Sequence, residues 1–344
     1  MSIPVFRSYI KRKDMDTVLS CLVTDSIGPG EYLDRFQKGA REAFGYDFGF
    51  AVRSPYHALA LALDVFGLAA GDTIALSALA PSWYVAVLKE RQLLPLFVDP
   101  ALENANPSAE GIAKAVEAVA QKPKALIWSG DAGILPEPEL FAEAGIPVIE
   151  DFTKALGSTR QGSPAKSIGQ LTIVGLEHGS VITAGGGALL YAQGKREASV
   201  LKNLHESLPS VLRMPDYNAA LGFAQLRELE RGVEKRREIR QLYSQALAGN
   251  RHKGFQQSGE AEGGCWSFPV VIESSSKDAI AYAKKKDVET EFAFAESCSA
   301  TGLVPEGSCP NARSLVMRTL LFPLHQRIGG TGAQKIARVL ATLP

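Results

Sequence analysis

The sequence predicts an α/β fold, with a mostly parallel mixed sheet in a large domain followed by a small C-terminal α+β domain. Three observations carry this expectation. Short apolar runs alternate with segments of helical period, the pattern of strands feeding crossover helices. The 344 residues are 46% hydrophobic, enough to bury a substantial core and to suggest about two domains. The text then changes at Tyr217: a charged helical stretch runs through Leu247 and gives way to a Gly- and Ser-rich loop around 254–264. The expected boundary lies there, dividing the chain into residues 1–250 and 251–344.

Taken in order, strands are expected at 48–53, 73–77, 94–98, 125–129, 148–151 and 171–176. A seventh, at 188–191, is expected to return and close the sheet. Several of these runs end in Ser, Asp or Gly. In open α/β sheets ligands collect beyond the carboxyl ends of strands, so Ser54, Asp151 and the loop after Leu176 are expected to share one crevice. Past the boundary, the text reads as a strand at 267–272, a helix from Lys277 and a final helix near 332–343.

Composition narrows the function classes. A net charge of +0 and a pI near 7.0 lack the basic face that nucleic-acid binding needs for counterion release. Lys284-Lys285-Lys286 reads as a solvated helix end. The richest apolar stretch, 58–70, is cut by Asp64, so no membrane span is expected. The first residues have no apolar leader core. Cys21, Cys265, Cys298 and Cys309 form no C-x-x-C pair and no metal-ligand spacing, which points to reduced thiols of a cytoplasmic protein and to no structural metal.

Two motifs carry chemistry. The run Pro147-Val-Ile-Glu-Asp-Phe-Thr-Lys-Ala-Leu-Gly157 ends a strand on a carboxylate, and Ser180-Val-Ile-Thr-Ala-Gly-Gly-Gly187 leads into a glycine turn. They resemble the aspartate and lysine segments of the DegT/DnrJ/StrS sugar aminotransferases, the second of which is commonly written K-x-I-T-x-G-x-G. Asp25-Ser-Ile-Gly-Pro-Gly30, Gly71-Asp-Thr-Ile74, Pro95-Leu-Phe-Val-Asp99, Arg213-Met214 with Ala219-Ala-Leu-Gly-Phe-Ala-Gln-Leu226, and Leu320-Leu-Phe-Pro-Leu324 resemble further segments of that family in the same order. The resemblance implies a pyridoxal-phosphate (PLP) dependent transferase of fold type I, similar to aspartate aminotransferase. It also implies that Ser180 stands in the slot of the Schiff-base lysine, at the family's usual interval from Asp151.

The resemblance assigns further roles residue by residue. Asp151 would hold the pyridine nitrogen of PLP or its amine form (PMP), keeping the ring an electron sink; the competing reading is a carboxylate that ends a buried strand. Ser54 and Tyr56 fall in the phosphate cup, where Pro55 removes a donor and Tyr56 adds bulk. Serine before proline also makes an ordinary helix start, and His57 reads as an ordinary helix residue. Trp83, or its neighbour Tyr84, would stack on the ring; packing on the sheet is the alternative. Lys154 stands where the family usually has glutamine, which raises the hypothesis that the attachment amine has moved there, against a solvent-facing or ion-paired lysine. His178 invites comparison with keto-sugar dehydratases of the family that use histidine in place of the lysine, two positions out of register. Gly175 and Leu176 replace a Ser-Phe pair whose serine contacts phosphate.

A hydroxyl neither anchors PLP nor moves the substrate proton, and losing a positioned base alone costs about 10²–10⁴ in rate. Two classes follow. One is a non-catalytic member of the fold: a binder of a sugar nucleotide or small anion, or the silent half of a dimer, homomeric or with a lysine-bearing paralogue. The other is a modified PLP or PMP enzyme acting on a keto- or amino-sugar nucleotide, with Lys154 or His178 in the amine or base role. Any PLP or PMP would be held without a covalent bond at Ser180, and neither nucleic acid nor membrane is an expected partner.

Overall fold

The computed structural model describes residues 2–25, 27–119, 121–257 and 259–344, and all of their side chains except those at 142–144. Ser26 of the 25–30 segment and Ser258 of the 254–264 loop lie outside the described residues.

Two N-terminal helices, α1 (Arg12–Val23) and α2 (Glu31–Phe44), lead into strand β1 (Phe48–Val52), helix α3 (Pro55–Val65) and strand β2 (Thr73–Ser77). Then come α4 (Trp83–Glu90), β3 (Leu94–Val98), α5 (Ala109–Glu117), β4 (Ala125–Ser129), α6 (Pro138–Ala144) and β5 (Val148–Asp151). A short hairpin, β6 (Thr159–Arg160) and β7 (Ser163–Pro164), precedes β8 (Leu171–Gly175), β9 (Ala188–Ala192) and helix α7 (Lys195–Ser207). The strands therefore fall where the apolar runs place them, to within a residue at each end.

The large sheet runs β1-β9-β8-β5-β4-β2-β3. Strands β2, β3, β4, β5 and β8 are mutually parallel, while β9 is antiparallel to both β8 and β1. The seventh strand thus does not close an edge; it inserts between β1 and β8. Chain order reverses between β2 and β4, so the loops after those two strands open the crevice where such sheets hold ligands.

Both faces are covered. The apolar 58–70 stretch begins in α3, whose residues 58–63 are all buried, so it is a core helix rather than a span. Leu59 and Leu63 are fully buried there against Leu76 and Ile127 of the sheet, and each such side chain contributes about 1.5–3 kcal/mol. Ser54 caps α3 by accepting from His57 N, and Pro55 takes the first helical position, where its missing N–H costs nothing. The opposite face packs Leu189 and Tyr191 against Phe36 of α2. Asp216, 2% exposed, ties the N-terminal segment down by accepting from the N–H groups of Gly30, Tyr32 and Leu33. Among the described residues no helix is long and apolar enough to cross a membrane.

The charged stretch after Tyr217 is two helices, not one: α8 (Asp216–Leu226) and α9 (Leu229–Leu247). The break falls at Glu228, whose carboxylate pairs with Lys11 and Lys13 of the N-terminal region. It lets α8 lie on α2 while α9 reaches the C-terminal unit. That unit contains β10 (Lys253–Gly254), β11 (Ala261–Glu262), β12 (Phe268–Val271), α10 (Ser276–Lys285), β13 (Glu291–Phe292), α11 (Pro310–Arg318), β14 (Thr319–Phe322) and α12 (Gly330–Ala341). Its sheet runs β10-β12-β14-β13, and β11 instead joins the β6–β7 hairpin. Ile239, Tyr243 and Leu247 of α9 pack into this unit's core with Phe268, Phe322 and Ile336. The chain start straps across it: Ile3 bridges Val288, and His325 Nε2 meets the Pro4 carbonyl at 3.1 Å. Lys284, Lys285 and Lys286 are exposed at the end of α10, and all four cysteines are free and buried.

A polar crevice at the carboxyl end of the sheet

Asp151 is the last residue of β5, in register with Ser129 at the end of β4. Each oxygen of its carboxylate accepts one hydrogen bond from within the chain. Tyr84 Oη donates to Oδ2 at 2.6 Å, and Thr153 N donates to Oδ1 at 3.0 Å. Of the two expected ring-stacking candidates, Tyr84 is therefore an Asp151 partner, 1% exposed. Burial first, then the Asp151 carboxylate, pushes its phenol well above the ordinary tyrosine range. Trp83 is half-buried and stands edge-on to Tyr84 at 4.4 Å between ring centroids. Glu150, one residue earlier, points to the other face of the sheet, where Ser167 Oγ, Ile168 N and Gly169 N donate to it. It is the structural carboxylate of the pair.

The residues at the start of α3 are paired with one another. Ser54 Oγ lies 2.8 Å from His57 Nδ1 and accepts from His57 N. Tyr56 is half-buried and turns toward Glu90, whose hydrogen bond and charge raise its phenol. Gly175, at the end of β8, donates its N–H to Thr153 Oγ1 at 2.7 Å. A Cβ at that position would stand 3.2 Å from Thr153 Oγ1 and 3.4 Å from the Pro55 ring. Pro55, Thr153 and Gly175 thus meet at the strand ends.

Lys154 belongs to the same group. Its Nζ donates to the Asp131 carbonyl at 3.3 Å and lies 4.8 Å from the centroid of the Trp266 ring. It is half-buried, so the solvent-facing reading is replaced by a tethered amine. Asp131, which sequence reasoning missed, is 1% exposed, and burial raises its carboxyl to about 7, with Lys154, Ser129 and Ser77 pulling down and Asp151 pushing up. Ser129 Oγ donates to Oδ2 at 3.0 Å, while Oδ1 has no hydrogen-bond partner among the described residues. Asp131 sits where the chain order of the sheet reverses, and that position, after a run of apolar strand residues, was the one available signal. Cys298 of the C-terminal unit closes over it, its N–H on the Ala80 carbonyl and its thiol raised to about 12 by burial and then by Asp131.

The lysine-slot segment leaves β8 at Leu176. Ser180 is half-buried, with its N–H on the Glu177 carbonyl. His178 is exposed in the same turn, and its carbonyl accepts from Ser8 Oγ. Among the described residues neither His178 nor Ser180 shares a hydrogen bond with the Asp151 group. Further on, Gly187 takes φ +97°, and a Cβ there would fall 2.3 Å from Met214 Cε, so Met214 is buried beneath the turn. Arg213 bridges the end of β1 and donates to the His205 carbonyl.

These residues do not fit PLP held in the way the family resemblance implies. On the roles that the resemblance implies, Asp151 accepts from Tyr84 Oη, Ser54 Oγ accepts from His57 N, Pro55 offers no N–H, a Cβ at position 175 would crowd Thr153 Oγ1 at 3.2 Å, and position 180 is a serine. Among the described residues no group of three or more metal-ligating side chains is found.

The model of the DegT/DnrJ/EryC1/StrS aminotransferase family matches residues 8–341. The chain is 22% identical over 313 residues to a GDP-perosamine synthase of Vibrio cholerae, covering 85% of this chain and 84% of the relative. It is 26% identical over 237 residues to the putative pyridoxal phosphate-dependent aminotransferase EpsN of Bacillus subtilis, covering 63% and 61%. Among solved structures, aminotransferase TlmJ from Streptoalloteichus hindustanus superposes with a TM-score of 0.88 at 21% identity, covering 99% of this chain and 98% of the other. An E. coli GDP-4-keto-6-deoxy-D-mannose-3-dehydratase with bound hydrated PLP gives 0.87 at 19% identity, covering 99% and 100%. The fold is that of the PLP-dependent transferases.

Proposed function

Because this chain belongs to the DegT/DnrJ/EryC1/StrS aminotransferase family, we propose that it serves sugar-nucleotide or polysaccharide metabolism as a member that does not run ordinary transamination. It acts as a binder of a sugar nucleotide or small anion, or as the silent partner in a dimer, with itself or with a lysine-bearing paralogue. The observation that carries this reading is the 2.6 Å bond from Tyr84 Oη to Asp151 Oδ2. The group that would hold a pyridine nitrogen has an internal donor in its place, and Ser180 supplies no amine. The relatives named for GDP-perosamine synthesis support the substrate class. The proposal includes the division into residues 1–250 and 251–344, tethered by α9, and a cytoplasmic location, which the four free thiols support.

A second reading draws on Lys154: a modified PLP or PMP enzyme would use that amine, which already lies in the buried polar group beside Asp131. One experiment separates the two. The purified protein is incubated with excess PLP, reduced with borohydride and peptide-mapped, with thermal unfolding followed in parallel. A ligand at a hundred times its Kd adds about 2.7 kcal/mol of stability. The first reading predicts no stabilisation and no stoichiometric label. A stoichiometric label on Lys154 replaces it with the second.

A further inference from the structure

On the opposite face of the sheet from the Tyr84–Asp151 bond, a cavity of about 770 Å³ opens between the end of α2, the start of α9 and the β6–β7 hairpin. That volume is in the range that encloses small organic ligands. Its floor and walls are apolar: Phe44, Tyr46, Phe152, Leu156, Val174 and Val233. The walls are held in place. Tyr46 stacks on Tyr191 at 4.3 Å, and Gly157, at φ +88°, leaves room for Val233, to which a Cβ there would come within 2.8 Å.

The rim is cationic. Lys166, Arg227, Arg231 and Arg237 stand around it with Glu230 and Glu234, so the rim carries 4 − 2 = +2 in a chain whose net charge is +0. Arg237 is committed, donating to the Gly157 carbonyl at 2.9 Å and pairing with Glu234 at 3.5 Å. Lys166, Arg227 and Arg231 are exposed beside Glu230, with the Arg227 guanidinium 4.3 Å from the Phe223 ring centroid. An apolar chamber under a positive rim selects one ligand chemistry: an anionic head joined to a hydrocarbon or aryl body.

We propose that this cavity is a second binding site, separate from the crevice at Asp151, for a small amphipathic anion such as a free carboxylate with an apolar tail. Fluorescence titration of the full-length protein tests it with two probes that share an aryl body: anilinonaphthalenesulfonate, which is anionic, and N-phenylnaphthylamine, which is neutral. Dodecanoate serves as the competitor. The expected result is saturable binding of the anionic probe, displaced by dodecanoate, with weaker binding of the neutral one. Arg227→Glu with Arg231→Glu should weaken the anionic probe by about tenfold, two rim contacts together, and leave the neutral probe unchanged. Ala165→Trp and Leu229→Trp, each reaching the chamber from a different element, should abolish both while thermal unfolding stays within the wild-type range. Equal affinity for the two probes, or undiminished binding in both folded tryptophan variants, would overturn the proposal. So would sedimentation showing that the groove is the contact between two copies of the chain, with no probe bound to the assembly.

Discussion

Tyr84→Phe isolates the bond from Tyr84 Oη to Asp151 Oδ2, on which the proposed function rests. The ring stays in the core beside Trp83, so packing is kept and only the hydroxyl is lost. A charge-assisted hydrogen bond of this kind contributes about 1.5–3 kcal/mol. Asp151 is half-buried and keeps the Thr153 N–H, so the freed oxygen gains water and the loss falls toward the lower end, about 1.5–2 kcal/mol. Urea unfolding should show this as a lower midpoint at unchanged slope. Tyr56→Phe, in the same aromatic cluster but turned to Glu90, should cost no more than about 0.5 kcal/mol. Freeing Oδ2 should also raise affinity for PLP in an absorption titration relative to wild type. A stability loss below about 0.5 kcal/mol, or PLP binding equally tight in both proteins, would refute the reasoning.

Asp131→Asn removes a carboxyl that burial raises to about 7. Between pH values near its ordinary and folded pKa, the native state holds a proton the unfolded chain has lost, so wild-type stability falls as pH rises through that window and levels off above it. At about 1.36 kcal/mol per pH unit the penalty reaches at most about 4 kcal/mol; the variant should match wild type below pH ~4 and gain on it up to neutrality, as unfolding at a series of pH values would record. Ser180→Lys introduces an amine while Tyr84 stays on Asp151, so on the proposed reading borohydride mapping should find no stoichiometric PLP adduct at that position unless Tyr84→Phe is added. Ser54→Ala removes the cap of α3 and should cost about 1 kcal/mol by urea unfolding.

The sheet was legible because each strand is a short apolar run bounded by turn residues, and the crevice because such sheets gather ligands at strand ends. The Asp151 segment was legible as a motif. Its partner was not, since Tyr84 lies 67 residues away in the chain and the choice between Trp83 and Tyr84 depends on how α4 is turned. Asp131 was invisible for a similar reason: Ser-Gly-Asp reads as an ordinary turn, and only the folded chain leaves its carboxyl 1% exposed. The break between α8 and α9 was hidden because Arg227 and Glu228 continue a charged helical text. At the break, Glu228 pairs with lysines at the other end of the chain, a partner the local text does not name.

The proposed function stands on the hydrogen bond from Tyr84 Oη to Asp151 Oδ2. A crystal structure of the wild-type protein grown with excess PLP tests this directly. The Tyr84 hydroxyl should still be on the Asp151 carboxylate. A pyridine nitrogen within hydrogen-bond reach of Asp151, with the tyrosine displaced, would contradict it.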